Sequence, residues 1–205
     1  MQPKRRSNIE RRQESTEAVL DAALSLFVSG GYQATTMSDI ARKAGLTKGA
    51  VYFYFKDKLA LVTELLERSE RTLYRPFFRQ LEESDEPARQ KIAQFLNWLA
   101  RIAAENRDEL LLPVLISLEF HGEASPAFDV IDSIRRQMRE ELVAIFNRGG
   151  ADGTLRMDAA PTEMADTLMA FSDGLLLHWY RHEQELDGAA LARSARNMIL
   201  QGIRR

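Results

Sequence analysis

The sequence predicts an all-α protein in which a small N-terminal domain precedes a larger helical C-terminal domain. Apolar residues recur at intervals of three and four along most of the chain, and no segment shows the sustained alternation of a strand. Candidate caps, glycines and prolines divide the chain into about nine helices. The charge is also uneven: residues 1–58 carry ten Lys/Arg against six Asp/Glu, whereas the remainder carries 18 against 24. A basic N-terminal part on an acidic body is typical of proteins that contact nucleic acid at one end.

The N-terminal region is predicted to begin with a flexible arm and a first helix. Residues 1–12 are polar and basic, with Lys4-Arg5-Arg6 near the start, and we expect them to be mobile. The first helix should run from about Glu14 to Ser29, where apolar residues form one face. Gly30-Gly31 should end this helix, since glycine accepts the left-handed conformation that follows a helix.

Two short helices follow, each with its own cap. Thr36 and Asp39 have the spacing of a capping box, which predicts that the second helix begins at Thr36. Gly45 should end it. Thr47 is a suitable N-cap for a third helix over about 48–54.

The rest of the chain is predicted to be helical throughout. Further helices are expected at about 57–81 (capped by Asp57), around 92–103, and at about 110–118, 127–148, 162–181 and 188–203, with a loop at 149–161. The segment Leu110–Leu118 is almost continuously apolar and should be buried, and Pro113 inside it should start or kink its helix.

The composition excludes several classes of function. The chain has no cysteine, no apolar run of the ~18 residues that a membrane span needs, and no secretory h-region after its basic start. It also lacks a phosphate-cradling glycine loop and a serine or carboxylate pair with an evident base. We therefore expect no enzyme activity, cofactor, metal or membrane partner, and a location in the cytoplasm on the nucleoid.

The segment Thr36–Phe55, TMSDIARKAGLTKGAVYFYF, has the pattern of a helix-turn-helix, whose second helix enters the major groove of DNA. Lys48 can pair with phosphate or guanine, small residues follow it, and three aromatic residues stand on a short helix. The residues expected to contact DNA are Thr35, Thr36, Lys48, Gly49, Ala50, Tyr52, Phe53, Tyr54 and Lys58. The alternative is a well-capped three-helix unit whose tyrosines pack internally.

The pattern also resembles a known family. Gly31-Tyr32, Thr35-Thr36, Ile40-Ala41, the run Ala44–Phe55 and Lys58-Leu59-Ala60-Leu61 are similar in type and register to the N-terminal domain of TetR-family regulators. The resemblance implies a helix-turn-helix domain at 13–57 and a ligand-binding and dimerisation domain at 58–205. It implies a homodimer that binds a pseudo-palindromic double-stranded DNA operator and is released by a small-molecule effector. The helix at about 57–81 would be the lever. Met37 and Phe53 are apolar where some members carry polar groups that read bases.

Two sets of residues in the second half are candidates for the effector and for the partner subunit. Aromatic and apolar residues that could line a pocket, or pack as a dry core, are Phe78, Phe95, Trp98, Leu99, Leu115, Phe120, His121 and Phe128. Apolar stripes that could pair across a two-fold axis, or pack within the chain, are Met164, Leu168, Phe171, Leu175, Trp179, Leu191, Ala195, Met198 and Ile199. An apolar or aromatic effector is expected.

Three alternatives remain at this point. His178 and His182 have the i, i+4 spacing of two metal ligands, but Trp179 stands where a hydrolase would need glutamate, so solvated histidines are favoured. A small helical enzyme and an architectural helical protein with a basic docking surface remain possible as other classes. A salt series of binding to duplex DNA, in which genomic fragments are compared with random DNA, separates these classes from a sequence-specific regulator.

Overall fold

The computed structural model describes residues 8–120 and 122–204, and it confirms the all-α prediction. Its helices are α1 (Asn8–Gly30), α2 (Met37–Lys43), α3 (Lys48–Tyr54), α4 (Lys58–Ser69), α5 (Arg75–Glu83), α6 (Ala88–Glu105), α7 (Arg107–Glu119), α8 (Pro126–Ala151), α9 (Pro161–Arg181) and α10 (Gly188–Gly202). A π-helical turn, Glu70–Tyr74, joins α4 to α5 without a break, so the described residues form nine continuous helical stretches, as expected. The only β feature of the described part is one isolated antiparallel bridge between Leu155 and Arg204.

The chain divides into two compact units. The first contains the residues up to Arg68 together with Leu112–Val130, and the second contains Ser69–Leu111 and the residues from Ile131 onward. The helix-turn-helix segment lies in the first unit. The functional division at residues 57 and 58 stays a prediction. No helix within residues 8–120 and 122–204 is both long and apolar enough to cross a membrane.

Helix α1 begins earlier than predicted. It starts at Asn8, not near Glu14, so residues 8–12 are helical and are not part of a mobile arm. The run Glu10-Arg11-Arg12-Gln13-Glu14 consists of good helix formers, and the local propensity therefore favours extension of the helix. Lys4-Arg5-Arg6 lie outside the described residues. The helix ends at Gly30, and Gly31 takes a positive φ of 84°, as expected of a glycine at this position.

The predicted helix at 57–81 is interrupted by the π turn. Asp57 accepts the N–H of Ala60 at 2.7 Å, which confirms the predicted cap. Pro76 lies in the first turn of α5 and has no N–H to donate. Because a proline ring also crowds the carbonyl four residues earlier, the preceding turn widens into the π form. The prediction of a regular helix was therefore wrong over Glu70–Tyr74.

Helix α7 differs from the prediction in its start. It begins at Arg107, and Pro113 lies inside it instead of starting it. Leu110, Leu111 and Ile116 are buried as expected, whereas Leu118 is 64% exposed. The apolar run Leu110–Leu118 is therefore only partly buried.

Helix α8 ends three residues later than predicted. It ends at Ala151, so Gly149 and Gly150 are helical, and the expected loop at 149–161 begins later. The chain turns back directly after α8, and the Leu155 N–H donates to the Gly149 carbonyl at 3.0 Å. A Cβ on Gly149 would lie 2.4 Å from Leu155 Cδ1 and 2.9 Å from Ala88 Cβ. The glycine is therefore needed for this close approach, which explains a residue that is otherwise unfavourable in a helix.

We expect Gly149→Ala to lower the free energy of unfolding by about 1–3 kcal/mol, because the added methyl group overlaps two packed side chains. Urea denaturation followed by circular dichroism measures the change. Gly30→Ala is the matched control, since a Cβ at Gly30 meets nothing within 4 Å. Equal unfolding midpoints for the two variants would show that the site near Gly149 relaxes freely.

Candidate nucleic-acid interface

Helix α2 begins with the predicted capping box. The Asp39 N–H donates to Thr36 Oγ1 at 3.2 Å, while the Thr36 N–H and hydroxyl donate to Asp39 Oδ2 at 3.2 and 2.6 Å. These bonds, with the Thr36 hydroxyl the largest cause, lower the pKa of Asp39. Arg42 lies 2.6 Å from the other carboxylate oxygen. Both donors of Thr36 are thus engaged within the protein, so a bond from Thr36 to phosphate would replace one of these contacts.

The two helices of the motif are held against each other by buried apolar residues. Ile40 and Val51 are fully buried, and Ala41 is 3% exposed, so the small side chain of Ala41 lets the helices approach. Gly45 takes a positive φ of 68° in the turn, and the Leu46 N–H donates to the Ala41 carbonyl at 3.0 Å. Thr47 caps α3 by accepting the Ala50 N–H at 3.2 Å. The predicted scaffold of the helix-turn-helix is confirmed.

The outer face of α3 presents a cation and aromatic rings to solvent. Lys48 and Gly49 are exposed, Tyr52 is 46% exposed and Phe53 is 71% exposed. The Lys48 ammonium lies 5.9 Å from the centre of the Tyr52 ring. Phe53 meets Tyr54 edge to face, with 5.2 Å between ring centres. Phe53 lies outside the buried core, and an exposed aromatic ring beside a cation makes this face suited to contact another molecule.

Gly49 has no structural reason to be glycine. It lies in the first turn of α3 with an ordinary negative φ, and a Cβ built on it meets nothing within 4 Å. Glycine also weakens a helix by roughly 1 kcal/mol relative to alanine. The absence of a side chain therefore fits a close approach by an external molecule at this point of the helix.

Two of the predicted DNA contacts are instead structural. Thr35 is only 6% exposed, and its hydroxyl donates to the carbonyls of Gly31 at 2.8 Å and Leu26 at 3.3 Å. Lys58 Nζ donates to the carbonyls of Tyr32 at 2.5 Å, Gln33 at 3.2 Å and Thr35 at 2.9 Å. An ammonium has three donors, and all three of Lys58 are engaged. We therefore revise both residues from DNA contacts to parts of the scaffold.

The Lys58 ammonium is held in a partly desolvated position above an aromatic ring. It lies 4.3 Å from the centre of the Tyr32 ring. Burial, opposed by the charge of Glu119, lowers the pKa of Lys58. Met37 lies where some TetR-family members carry a polar group that reads bases. In this chain it is only 7% exposed and belongs to the core.

The structure adds residues that sequence reasoning missed. The Glu119 carboxylate, in the last turn of α7, accepts the N–H groups of Tyr32 at 2.9 Å and Gln33 at 3.1 Å. Phe120 packs on Tyr32 with 5.0 Å between ring centres, so this predicted pocket residue belongs to the same contact. Arg12 lies 5.7 Å from the Phe53 ring centre and therefore beside α3. The Glu119 contact spans 87 positions in sequence, and no local pattern predicts it.

The predicted pocket residues lie in both compact units. In the second unit, Trp98 stacks on Phe77 with 4.3 Å between ring centres and packs edge to face with Tyr74 at 5.4 Å. Phe78 and Phe95 belong to the same buried cluster, and burial raises the pKa of Tyr74. Leu99, Leu115 and Phe128 are half-buried, and His121 lies outside the described residues. The pocket assignment stays a prediction, with the dry-core alternative supported at Trp98.

The predicted dimer residues are mostly accessible within one chain. Met198 on α10 is 64% exposed, and Met164, Phe171, Leu175, Trp179, Leu191 and Ile199 are half-buried. Leu168 and Ala195 are buried inside the chain, which supports the alternative of packing within the chain for these two residues. The apolar face that remains on α9 and α10 keeps the dimer prediction open.

The histidine pair does not complete a metal site in the described part of the chain. The rings of His178 and His182 lie 4.9 Å apart, and His182 Nδ1 is 3.8 Å from Glu185 Oε2. Within residues 8–120 and 122–204, no group of three or more potential metal ligands comes together.

Comparison with known proteins agrees with this geometry. Residues 19–65 match the model of bacterial regulatory proteins of the tetR family, and residues 88–203 match the C-terminal domain of BetI-type transcriptional repressors. The transcriptional repressor BepR of Brucella suis biovar 1 is 26% identical over 194 residues, which cover 93% of this chain and 92% of BepR.

Solved structures show the same fold. The MbdR regulator from Azoarcus sp. CIB is 36% identical, with a TM-score of 0.84 over 92% of this chain and 98% of MbdR. FadR from Bacillus subtilis in complex with stearoyl-CoA is 21% identical, with a TM-score of 0.72 over 91% of this chain and 98% of FadR. The two family models together span most of the chain. The chain therefore belongs to the tetR family of bacterial regulatory proteins and is a DNA-binding transcriptional regulator.

Proposed function

We propose that the chain is a cytoplasmic repressor that binds a pseudo-palindromic operator as a homodimer and is released by a small effector. The observation that carries the proposal is the outer face of α3, where Lys48, Gly49, Tyr52 and Phe53 are exposed on a helix that Thr47 caps. A dimer would place two copies of α3 about 34 Å apart, one turn of DNA, or somewhat more. The relatives named repressors, such as BepR, support repression over activation.

The effector would act through α4. Lys58, the first residue of α4, bonds to the carbonyls of Tyr32, Gln33 and Thr35, directly before α2. A shift of α4 would therefore carry the start of α2 with it and change how α3 is presented. The effector must bind the released state more tightly than the DNA-bound state, because a ligand with equal affinity for both shifts nothing. The structure of FadR in complex with stearoyl-CoA supports the proposal that a protein of this fold binds a small effector.

The proposal is tested with operators selected from random DNA. Binding of the full chain to a fluorescent operator is measured by anisotropy over a series of salt concentrations. A regulator prefers its operator over random DNA at every salt concentration, and its affinity falls as salt rises. An architectural protein would show the salt dependence without the preference. A failure to prefer any selected or genomic fragment over random DNA would overturn the proposal.

Removal of side chains from α3 should weaken this binding selectively. We expect Tyr52→Ala to reduce operator affinity about fivefold to tenfold, the value of one or two hydrogen bonds, and Lys48→Ala to lower the salt slope by about 1. Dimerisation, measured by analytical ultracentrifugation, should not change in either variant. Arg89→Ala, which removes an exposed cation from α6, is the control for lost charge. If Tyr52→Ala binds the operator as tightly as Arg89→Ala does, the contact assignment is wrong.

A further inference from the structure

The second compact unit contains a cleft between α6, α9 and α10, outside the residues predicted to line the effector pocket. Its volume is about 470 Å³, within the usual range for sites of small organic ligands, and it is partly open to solvent. It is formed by the α6 face that carries Leu96, Ala100 and Ala104, opposite the α10 residues Ala189 and Ala192. Small apolar side chains on two facing helices leave room for an apolar body.

One wall of the cleft is Trp179. A Cβ on Gly188 would lie 2.6 Å from Trp179 Nε1, so the first residue of α10 must be small for the indole to take this position. Arg107 lies 5.6 Å from the Trp179 ring centre and pairs with Glu183, which further holds the indole. Trp179, which the sequence assigned to the dimer interface, thus lines a preformed aromatic and apolar wall.

Three arginines also line the cleft: Arg101 from α6, with Arg193 and Arg196 from α10. Among residues 8–120 and 122–204, no carboxylate oxygen lies within 4.0 Å of any of these three guanidinium groups. Arg196 Nε is buried and has no hydrogen-bond partner in that part of the chain. Buried polar groups usually have partners, and like charges gathered in one cleft repel each other unless an anion neutralises them.

We propose that this cleft binds an amphipathic anion, with a carboxylate or phosphate head among the arginines and an apolar body between α6 and α10. Guanidinium groups suit such heads, since their planar donors can bond two oxygens at once. A cationic ligand would be repelled by Arg101, Arg193 and Arg196. Binding itself does not depend on the DNA-reading role, whereas use of the cleft as the effector site rests on the function proposed above.

The probes have alkyl tails of nearly equal length and differ in the polar head group. Decanoate, decyl phosphate, decanol and decyltrimethylammonium, each below its critical micelle concentration, are titrated calorimetrically into the full chain without DNA. We expect the two anions to bind once per chain and at least tenfold more tightly than decanol, with no binding of the cation. The ratio of the two anion affinities tells a carboxylate site from a phosphate site. If decanol or the cation equals the anions, or if neither anion binds, the proposal fails.

Variants locate the binding in the cleft. Arg101→Met and Arg193→Met should each weaken anion binding about tenfold, the loss of one charge-assisted pair, while Arg89→Met, an exposed arginine of α6 outside the cleft, should not. Ala192→Phe should fill the apolar part and abolish binding, and Ala190→Phe, exposed on the same helix outside the cleft, should not. If both arginine variants bind like Arg89→Met, the anion binds elsewhere and the proposal is overturned. Operator binding of each variant is measured in a separate assay. The outcome for ligand binding in the cleft is therefore distinguished from the outcome for the proposed repressor function.

Discussion

Gly49→Leu is expected to reduce operator affinity about a hundredfold or more while leaving the fold as stable as before. Gly49 lies on the exposed face of α3 between Lys48 and Ala50, and a Cβ there meets nothing in the protein. Leucine is also a better helix former than glycine by close to 1 kcal/mol, so unfolding should not become easier. A leucine side chain would hold α3 away from the base edges. The loss of even two base contacts at about 1–3 kcal/mol each accounts for the expected effect.

The measurement is operator anisotropy together with urea denaturation of the same sample. Gly30→Leu is the matched control, since Gly30 is also an exposed helical glycine at which a Cβ meets nothing within 4 Å. Gly49→Ala should give an intermediate loss of affinity, because its methyl group is smaller. Operator affinity within twofold of the parent protein for Gly49→Leu would show that α3 does not approach DNA at this residue.

Glu119→Ala should destabilise the first compact unit by about 2 kcal/mol and weaken operator binding with it. The Glu119 carboxylate accepts the N–H groups of Tyr32 and Gln33, and hydrogen bonds to charged groups contribute about 1.5–3 kcal/mol each, less where they are exposed to solvent. The variant leaves the partly buried Tyr32 N–H without its acceptor. It also removes the charge that partly opposes the lowered pKa of Lys58, so that this pKa should fall further.

Operator binding should fall because the turn that Glu119 holds leads directly into the capping box of α2. Urea denaturation and anisotropy measure the two effects. Glu123→Ala is the control, since it removes an equal charge from an exposed residue four positions along the chain. Glu119→Gln keeps one acceptor oxygen and should recover part of the stability. Identical unfolding of Glu119→Ala and Glu123→Ala would mean that the carboxylate does not hold the turn.

The features that could be predicted from the sequence are those that depend on residues close together in the chain. The Thr36–Asp39 capping box, the Thr47 and Asp57 caps and the left-handed Gly45 each depend on groups within about four positions, so the residue types alone indicate them. Where a local signal was overridden, packing was the cause. Gly149 and Gly150 normally end a helix, but here the chain returns against α8, with Leu155 beside Gly149 and Met157 beside Gly150.

The residues of the candidate site also fall into two groups, those that the local sequence indicates and those whose contacts only the folded chain shows. Lys48, Gly49, Tyr52 and Phe53 were assigned to the outer face of α3 from helical periodicity, and their exposure agrees with that assignment. Thr35 and Lys58 carry a hydroxyl and an ammonium group, and both groups can also donate hydrogen bonds to phosphate. Only the folded chain shows that their donors are used by carbonyl groups of the turn between α1 and α2.

By itself the sequence determined the helical class, the two short helices of the helix-turn-helix and the side chains on the outer face of α3, because periodicity and capping are local properties of the chain. The tertiary structure alone decided that Glu119 holds the turn before α2 and that Arg101 meets Arg193 and Arg196 in one cleft. These contacts join residues about 90 positions apart. Helical periodicity reports only on residues a few positions apart, so it does not indicate contacts of this sequence separation. Only the packing of the helices brings such residues together.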